Sequence, residues 1–140
     1  MSVVFITVES KELKPEKLLE KINVENCGSV VSFTGIVRGE DESAKVQELI
    51  FDSWEEKLPI VLRNIGEESV EKFGVKSVSI AHRIGSVKPE EPIVSIHVSS
   101  IHRNEGFLAC SWLIDELKRQ APLWKKEVRE DGVLWKQGLG

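Results

Sequence analysis

Strand signals in this chain follow one another without the regular helices that a parallel sheet needs between its strands. "VVFITV" (3–8) is β-branched and aromatic, and "GSVVSFTGIVR" (28–38) is a long strand run interrupted by Gly35. "VQELIFDSW" (46–54) alternates as a sheet with one wet face does. "VKSVSIAHRIG" (75–85) and "IVSIHVSSIH" (93–102) are parted by the turn "VKPEEP". Helical spacing occurs in three places. In "KPEKLLEKI" (14–22), Pro15 suits a first turn, and Leu18, Leu19 and Ile22 share a face. Between Glu55 and Phe73 the apolar positions are Leu58, Leu62, Ile65 and Val70, with Pro59 near the start. In "EGFLACSWLIDELKRQ" (105–120), Asn104 is the expected cap and Phe107, Cys110, Ile114 and Leu117 the expected inward stripe. Pro122 closes that helix, and "VREDGVLW" (128–135) reads as a hairpin around Asp131-Gly132. Irregular strand and helix order makes the class α+β, and with no repeat or linker residues 1–140 read as one domain.

The balance of charge narrows the function. Hydrophobic residues are 41% and charged ones 30% of the 140, which is the composition of a soluble globular chain. A formal charge of −4 argues against nucleic acid as the main partner, because such binding neutralises many phosphates with Lys and Arg. No apolar run approaches the roughly 20 residues that span a bilayer. "MSVVFITVESKELK" has no basic segment ahead of its apolar run and reads as mature sequence. Cys27 and Cys110 lie far apart and form no C-x-x-C, so two free thiols in a reducing cytoplasm are expected.

Three basic groupings are candidate chemistry. Arg38 ends a strand at the mouth of the charged loop "GEDESAK" (39–45). His102 and Arg103 lead into a helix, whose free N–H groups attract anions; Arg103 adds a planar fork and His102 a proton. Lys118 and Lys125 bracket the corner in "LKRQAPLWKKE" (117–127), where Trp124 stands next to the second lysine. Lys118 is about 20 Å along the helix from Arg103, too far for one small-ligand pocket unless the site is elongated or a symmetric partner completes it. The other dipeptide of the kind, His82-Arg83, reads as support for a neighbouring turn, and His97 as structural. No metal-ligand spacing and no P-loop, dinucleotide or nucleophile-elbow motif occurs.

"FTGIVR" (33–38), "HRIG" (82–85), "VSSIHRNEGFLAC" (98–110) and "LKRQAPLWKKE", in this order and spacing, resemble the large subunit of molybdopterin synthase, the MoaE family. The resemblance runs from about Val30 to Trp135. It implies an α/β-hammerhead-like fold with antiparallel or mixed sheet and an additional β subdomain. It also implies an enzyme that moves sulfur from the C-terminal thiocarboxylate of a small ubiquitin-like carrier to cyclic pyranopterin monophosphate, twice, to form the dithiolene of molybdopterin. No cofactor, nucleic acid or membrane is implied. The implied assembly is a homodimer of this subunit within a heterotetramer, its pocket built across the dimer. By motif, Lys118 and Lys125 fall on the family's catalytic lysines, and Arg38, His102 and Arg103 on its substrate-binding residues. Lys125 is expected to face the thiocarboxylate and Lys118 the pterin. One amine would pass protons while the other stabilises developing negative charge. The family's tyrosine-bearing segment reads "IFDSW" (50–54) here, so Phe51 and Trp54 are expected to replace its packing. The alternative is a non-catalytic module that binds a ubiquitin-like tail or a phosphorylated metabolite.

Overall fold

Alternation along two neighbouring strands divides one sheet into an oily face and a polar face. The computed structural model describes residues 3–41 and 44–137. The first sheet contains β1 (Val4–Glu9), β2 (Ser29–Ile36), β5 (Ser77–Arg83) and β7 (Pro92–Ser100), in the order β1-β5-β7-β2. β1 runs parallel to β5 and the other pairs are antiparallel, so the sheet is mixed. Val78, Ile80, Ile96 and Val98 share one face and are fully buried. Two helices cover them, α2 (Leu58–Phe73) through Leu58, Leu62 and Ile65, and α3 (Arg103–Gln120) through Ala109, Cys110, Leu113 and Leu117. None of the described helices is long and apolar enough to cross a membrane.

The other face carries Ser77, Ser79, Ser95, His97 and Ser99, all buried. Burying hydroxyls and an imidazole costs stability unless they are bonded, and most here are. Ser77 and Ser99 share a 2.9 Å bond, and Ser99 donates to the Asn23 carbonyl at 2.7 Å. His97 sits between Ser32 on Nδ1 and Ser95 on Nε2, which confirms its structural reading. Over this face lie α1 (Pro15–Leu19) and its flanks, where Leu13 and Leu18 meet Ala81 and Phe5. Leu19 does not join them; it is exposed.

A second sheet is antiparallel throughout. Its order is β3 (Glu40–Asp41), β4 (Ala44–Ser53), β8 (Leu123–Arg129) and β9 (Gly132–Gln137), with β6 (Gly85–Val87) also pairing β4. The run expected as one strand over 75–85 divides because Gly85 has φ 84, a left-handed turn that passes the chain from the first sheet to the second. Val37, Val46, Leu49, Phe51 and Val87 form a separate small core there. Two strands of the "GEDESAK" region pair as a short hairpin end, and residues 42–43 of that segment lie outside the described residues.

α3 differs from expectation at its start. The cap is His102, without a side-chain capping bond, and Asn104 is already inside the helix. Phe107 is not part of the inward stripe, being 61% exposed. Gly106 takes the sheet-facing place, because a Cβ there would meet Ser100 Oγ at 2.9 Å and Val31 Cγ2 at 3.1 Å. A glycine is what lets the helix approach the sheet so closely. The other end behaves as read. Ala121, preceding Pro122, is extended (φ −63, ψ 127), as a residue before proline must be, and the chain turns at once into β8. Trp54 N–H donates to the Pro122 carbonyl at 3.1 Å, which pins the corner to the end of β4.

Candidate functional site

The corner at Pro122 brings α3's last turn and β8 to the same opening. Between the two sheets lies a cleft of about 360 Å³. Its walls are mostly apolar, with Phe33 and Ile96 from the first sheet, Phe51 from the second and Leu117 from α3. Arg38, Lys118 and Lys125 all line it. Arg38 and Lys118 are exposed, and Lys125 is half-buried and pairs across the ladder with Phe51. The lining thus carries three cations together with two carboxylates, Glu40 and Glu127, so the cleft is locally more basic than the whole chain of net −4.

Strand alternation decides who shares the cleft with Lys125. Leu123, Lys125, Glu127 and Arg129 occupy one side of β8, and Trp124 and Lys126 the other. Trp124, the chain neighbour of Lys125, therefore does not share its face. It is 40% exposed on the opposite face, opposite Asp52, while Lys126 lies 5.5 Å over the Trp135 ring. The apolar cover of Lys125 comes instead from Phe51, which is buried in the small core. Phe51 is thus a packing residue of the small core, whereas Trp54 is 54% exposed with Lys57 over its ring.

Glu127 is the residue that the motifs did not single out. It lines the cleft two positions after Lys125, is 3% exposed, and accepts from Arg129 Nε at 2.6 Å. The period of two from Lys125 would have found it. Cys110 is buried in the main core, and burial pushes its thiol up to about 11, which suits packing and not nucleophilic chemistry.

His102 and Arg103 are exposed at the opposite end of α3 and do not line the cleft. The chain alone therefore unites Arg38, Lys118 and Lys125 but not the His-Arg pair. About 20 Å of helix axis separates the two places.

Behind the cleft, His82 packs edge-on against Phe51, with ring centroids 5.6 Å apart. Its Nδ1–H donates to the Arg83 carbonyl at 2.7 Å, and Nε2 is buried with no hydrogen-bond partner among the described residues. Burial lowers its pKa from 6.5 to about 4. The unfolded chain therefore binds a proton below about 6.5 that the folded chain refuses until about 4. Stability present above pH 6.5 is lost as pH falls through that window, by about 3 kcal/mol in full. Urea melts between pH 7 and pH 4.5 are expected to show this fall, and His82→Gln should flatten much of it. Burial lowers His97 too, so some slope should remain. Identical slopes in both proteins would show that His82 does not titrate in this way.

Comparison with known proteins gives one family. The model of the MoaE protein family matches residues 8–120. The chain is 32% identical to the molybdopterin synthase catalytic subunit of Pyrococcus abyssi, over 98% of this chain and 93% of that one. The Arabidopsis thaliana protein of the same name is 32% identical over 97% of this chain and 69% of its own length. Among solved structures, molybdopterin synthase from Staphylococcus aureus superposes with a TM-score of 0.86 at 35% identity, covering 97% of this chain and 98% of that one. A complex of subunits 1 and 2 of molybdopterin-converting factor from Helicobacter pylori matches with a TM-score of 0.74 at 25% identity, over 96% and 90%.

Proposed function

The chain belongs to the MoaE family and serves as a catalytic subunit of molybdopterin synthase, and from this we propose how its cleft does that work. The carrier's C-terminal thiocarboxylate enters between the sheets, and its sulfur is passed to cyclic pyranopterin monophosphate bound beside it. The observation that carries this reading is the meeting of Arg38, Lys118 and Lys125 on one apolar-walled cleft. Both reactants are anions, and a low-dielectric wall strengthens their attraction to fixed cations. Lys125, the deeper lysine, faces the thiocarboxylate and stabilises negative charge as the sulfur bonds to a pterin carbon and water then displaces it from the carrier's carbonyl, leaving the carrier as a carboxylate. Lys118, at the mouth, faces the pterin and moves its protons. Arg38 holds the phosphate with a two-pronged guanidinium. Sulfur arrives already activated, so the chain needs no nucleophile of its own.

His102 and Arg103 enter the same site from a second copy. β2 is an edge strand of its sheet, with Val30 and Ile36 about half-exposed at its two ends. The Val30 end adjoins the start of α3, where Ile101, Phe107 and Leu108 are also exposed, and Ile36 lines the cleft. Six residues of strand span about 20 Å, the same length as the separation of the two basic groups. A two-fold axis through the middle of β2 exchanges its ends and sets one copy's Arg103 beside the other's Arg38. The assembly is then a homodimer with a ubiquitin-like carrier at each outer cleft, a heterotetramer of single-domain catalytic subunits working in the cytoplasm.

Mixing two inactive variants tests the shared site. Lys125→Ala and Arg103→Ala chains, unfolded and refolded together, should regain about a quarter of wild-type turnover, because half the dimers are mixed and each mixed dimer has one intact site. Arg103→Ala alone should weaken precursor binding more than carrier docking. Absence of any recovery in the mixture would place Arg103 in its own chain's site or outside the chemistry.

A further inference from the structure

The buried Arg83 is not used by the reaction described above, yet it is linked step by step to Arg38. Arg83 is 8% exposed at the end of β5. Its Nη2 donates to the Ser86 carbonyl at 2.9 Å, and Nη1 lies 3.5 Å from Glu91 Oε1. Burying a guanidinium is costly unless an acid stands near, and Glu91 is that acid. The same carboxylate accepts the Lys88 N–H at 2.8 Å, while Glu91 N–H donates back to the Lys88 carbonyl at 3.1 Å. The turn Lys88–Glu91 is thus closed twice, once through the side chain that Arg83 holds. Inside it Glu90 adopts φ 73, a left-handed conformation that a non-glycine residue keeps only when its surroundings enforce it.

This turn then grips the strand end that carries the cleft's arginine. Glu90 N–H donates to the Val37 carbonyl at 2.8 Å, and Val37 N–H donates to the Glu91 carbonyl at 3.1 Å. Val37 is 2% exposed, in the small core. On the far side of Arg38, Val46 N–H donates to the Gly39 carbonyl at 2.9 Å. The Arg38 backbone is therefore held on both flanks, by the turn before it and by β4 after it. Its side chain makes no ion pair among the described residues, so its aim depends on its backbone.

We propose that Arg83 and Glu91 are positioning residues that aim Arg38 at the phosphate of the precursor by locking the Lys88–Glu91 turn against Val37. The inference rests on the reading of Arg38 as a phosphate-binding residue. It gives a role to a buried arginine whose acid partner, Glu91, stands part-exposed at the end of the sheet. Neither residue touches substrate; each acts through Arg38.

Coupling between the positions separates this from general support of the fold. Steady-state kinetics would be measured on Glu91→Ala, Glu91→Gln, Arg38→Ala and the double variant, with thiocarboxylated carrier and cyclic pyranopterin monophosphate. Glu91→Ala is expected to raise KM for the precursor about tenfold, with kcat and carrier KM within about twofold of wild type. Glu91→Gln keeps an oxygen for the Lys88 N–H and should give a smaller rise, which also serves if the alanine variant does not fold. In the Arg38→Ala background the Glu91 change should add less than about twofold, because the group through which it acts is gone. A full tenfold on top of Arg38→Ala, or no change in the single Glu91 variants, would overturn the positioning role while leaving Arg38 as a ligand. No change in Arg38→Ala itself would overturn both, and that outcome is read from a different protein.

Discussion

Replacing Lys125 by alanine is expected to lower the rate of dithiolene formation by about a hundredfold or more, with the fold and carrier docking retained. The size follows from its place. Lys125 is half-buried beside Phe51 on the wall of an apolar cleft, where a fixed ammonium acts on developing negative charge with little screening by water. Retention of the fold follows from the ladder, since β8 pairs with β4 and β9 through backbone groups that the substitution leaves alone. Single-turnover assays with thiocarboxylated carrier would give the rate, and a carrier titration would give the docking. Lys118→Ala should cost less, because Lys118 is exposed at the mouth where water can replace part of its charge. A Lys125→Ala enzyme with more than a tenth of wild-type rate would remove Lys125 from the chemical step.

Glu127→Ala is expected to destabilise the protein more than any cation replacement in the cleft. Glu127 and Arg129 are paired at 2.6 Å with side-chain exposures of 4% and 13%. Removing Glu127 takes away the carboxylate that this largely buried guanidinium is paired with, at a cost of about 3 kcal/mol. For a chain of this size the melting temperature should fall by about 10 °C. Glu127→Gln keeps an acceptor for Arg129 Nε and should lose less. A melting temperature within about 2 °C of wild type for Glu127→Ala would show that water reaches the pair and that the cleft wall is softer than its burial indicates.

The strands and the proline corner could be read in the chain because each has a local cause. β-Branched alternation defines a strand, and a residue before proline is extended whatever surrounds it. The motif resemblance and the class α+β follow the same local patterns, and the MoaE match supports both. Three details had non-local causes. Phe107 was assigned inward by helical spacing, but the helix rotates to bring Gly106 against Ser100, a contact set by the sheet. Trp124 stands next to Lys125 in the chain and on the opposite face in space, because neighbours on a strand point apart. The polar face of the first sheet was hidden for the opposite reason, since Ser and His in alternate positions look like a wet surface until α1 covers them.

The candidate site divides along the same line. Lys118 and Lys125 could be joined from the sequence because the corner between them is only a few residues long. Arg38 reaches them through the pairing of distant strands, which only its motif hinted at. Glu127 lies one strand period beyond the lysine, a relation carried by alternation and not by the motif. His102 and Arg103 do not line the cleft between the sheets.

Sulfur transfer itself is the most direct measurement. The purified chain would be mixed with cyclic pyranopterin monophosphate and a ubiquitin-like carrier whose terminal thiocarboxylate bears isotopically labelled sulfur, and the pterin product analysed by mass spectrometry. Labelled sulfur should enter the dithiolene in wild type and be nearly absent with Lys125→Ala. A carrier that docks on the wild-type chain while no label reaches the pterin, or label that reaches it equally well without Lys125, would contradict catalysis in this cleft.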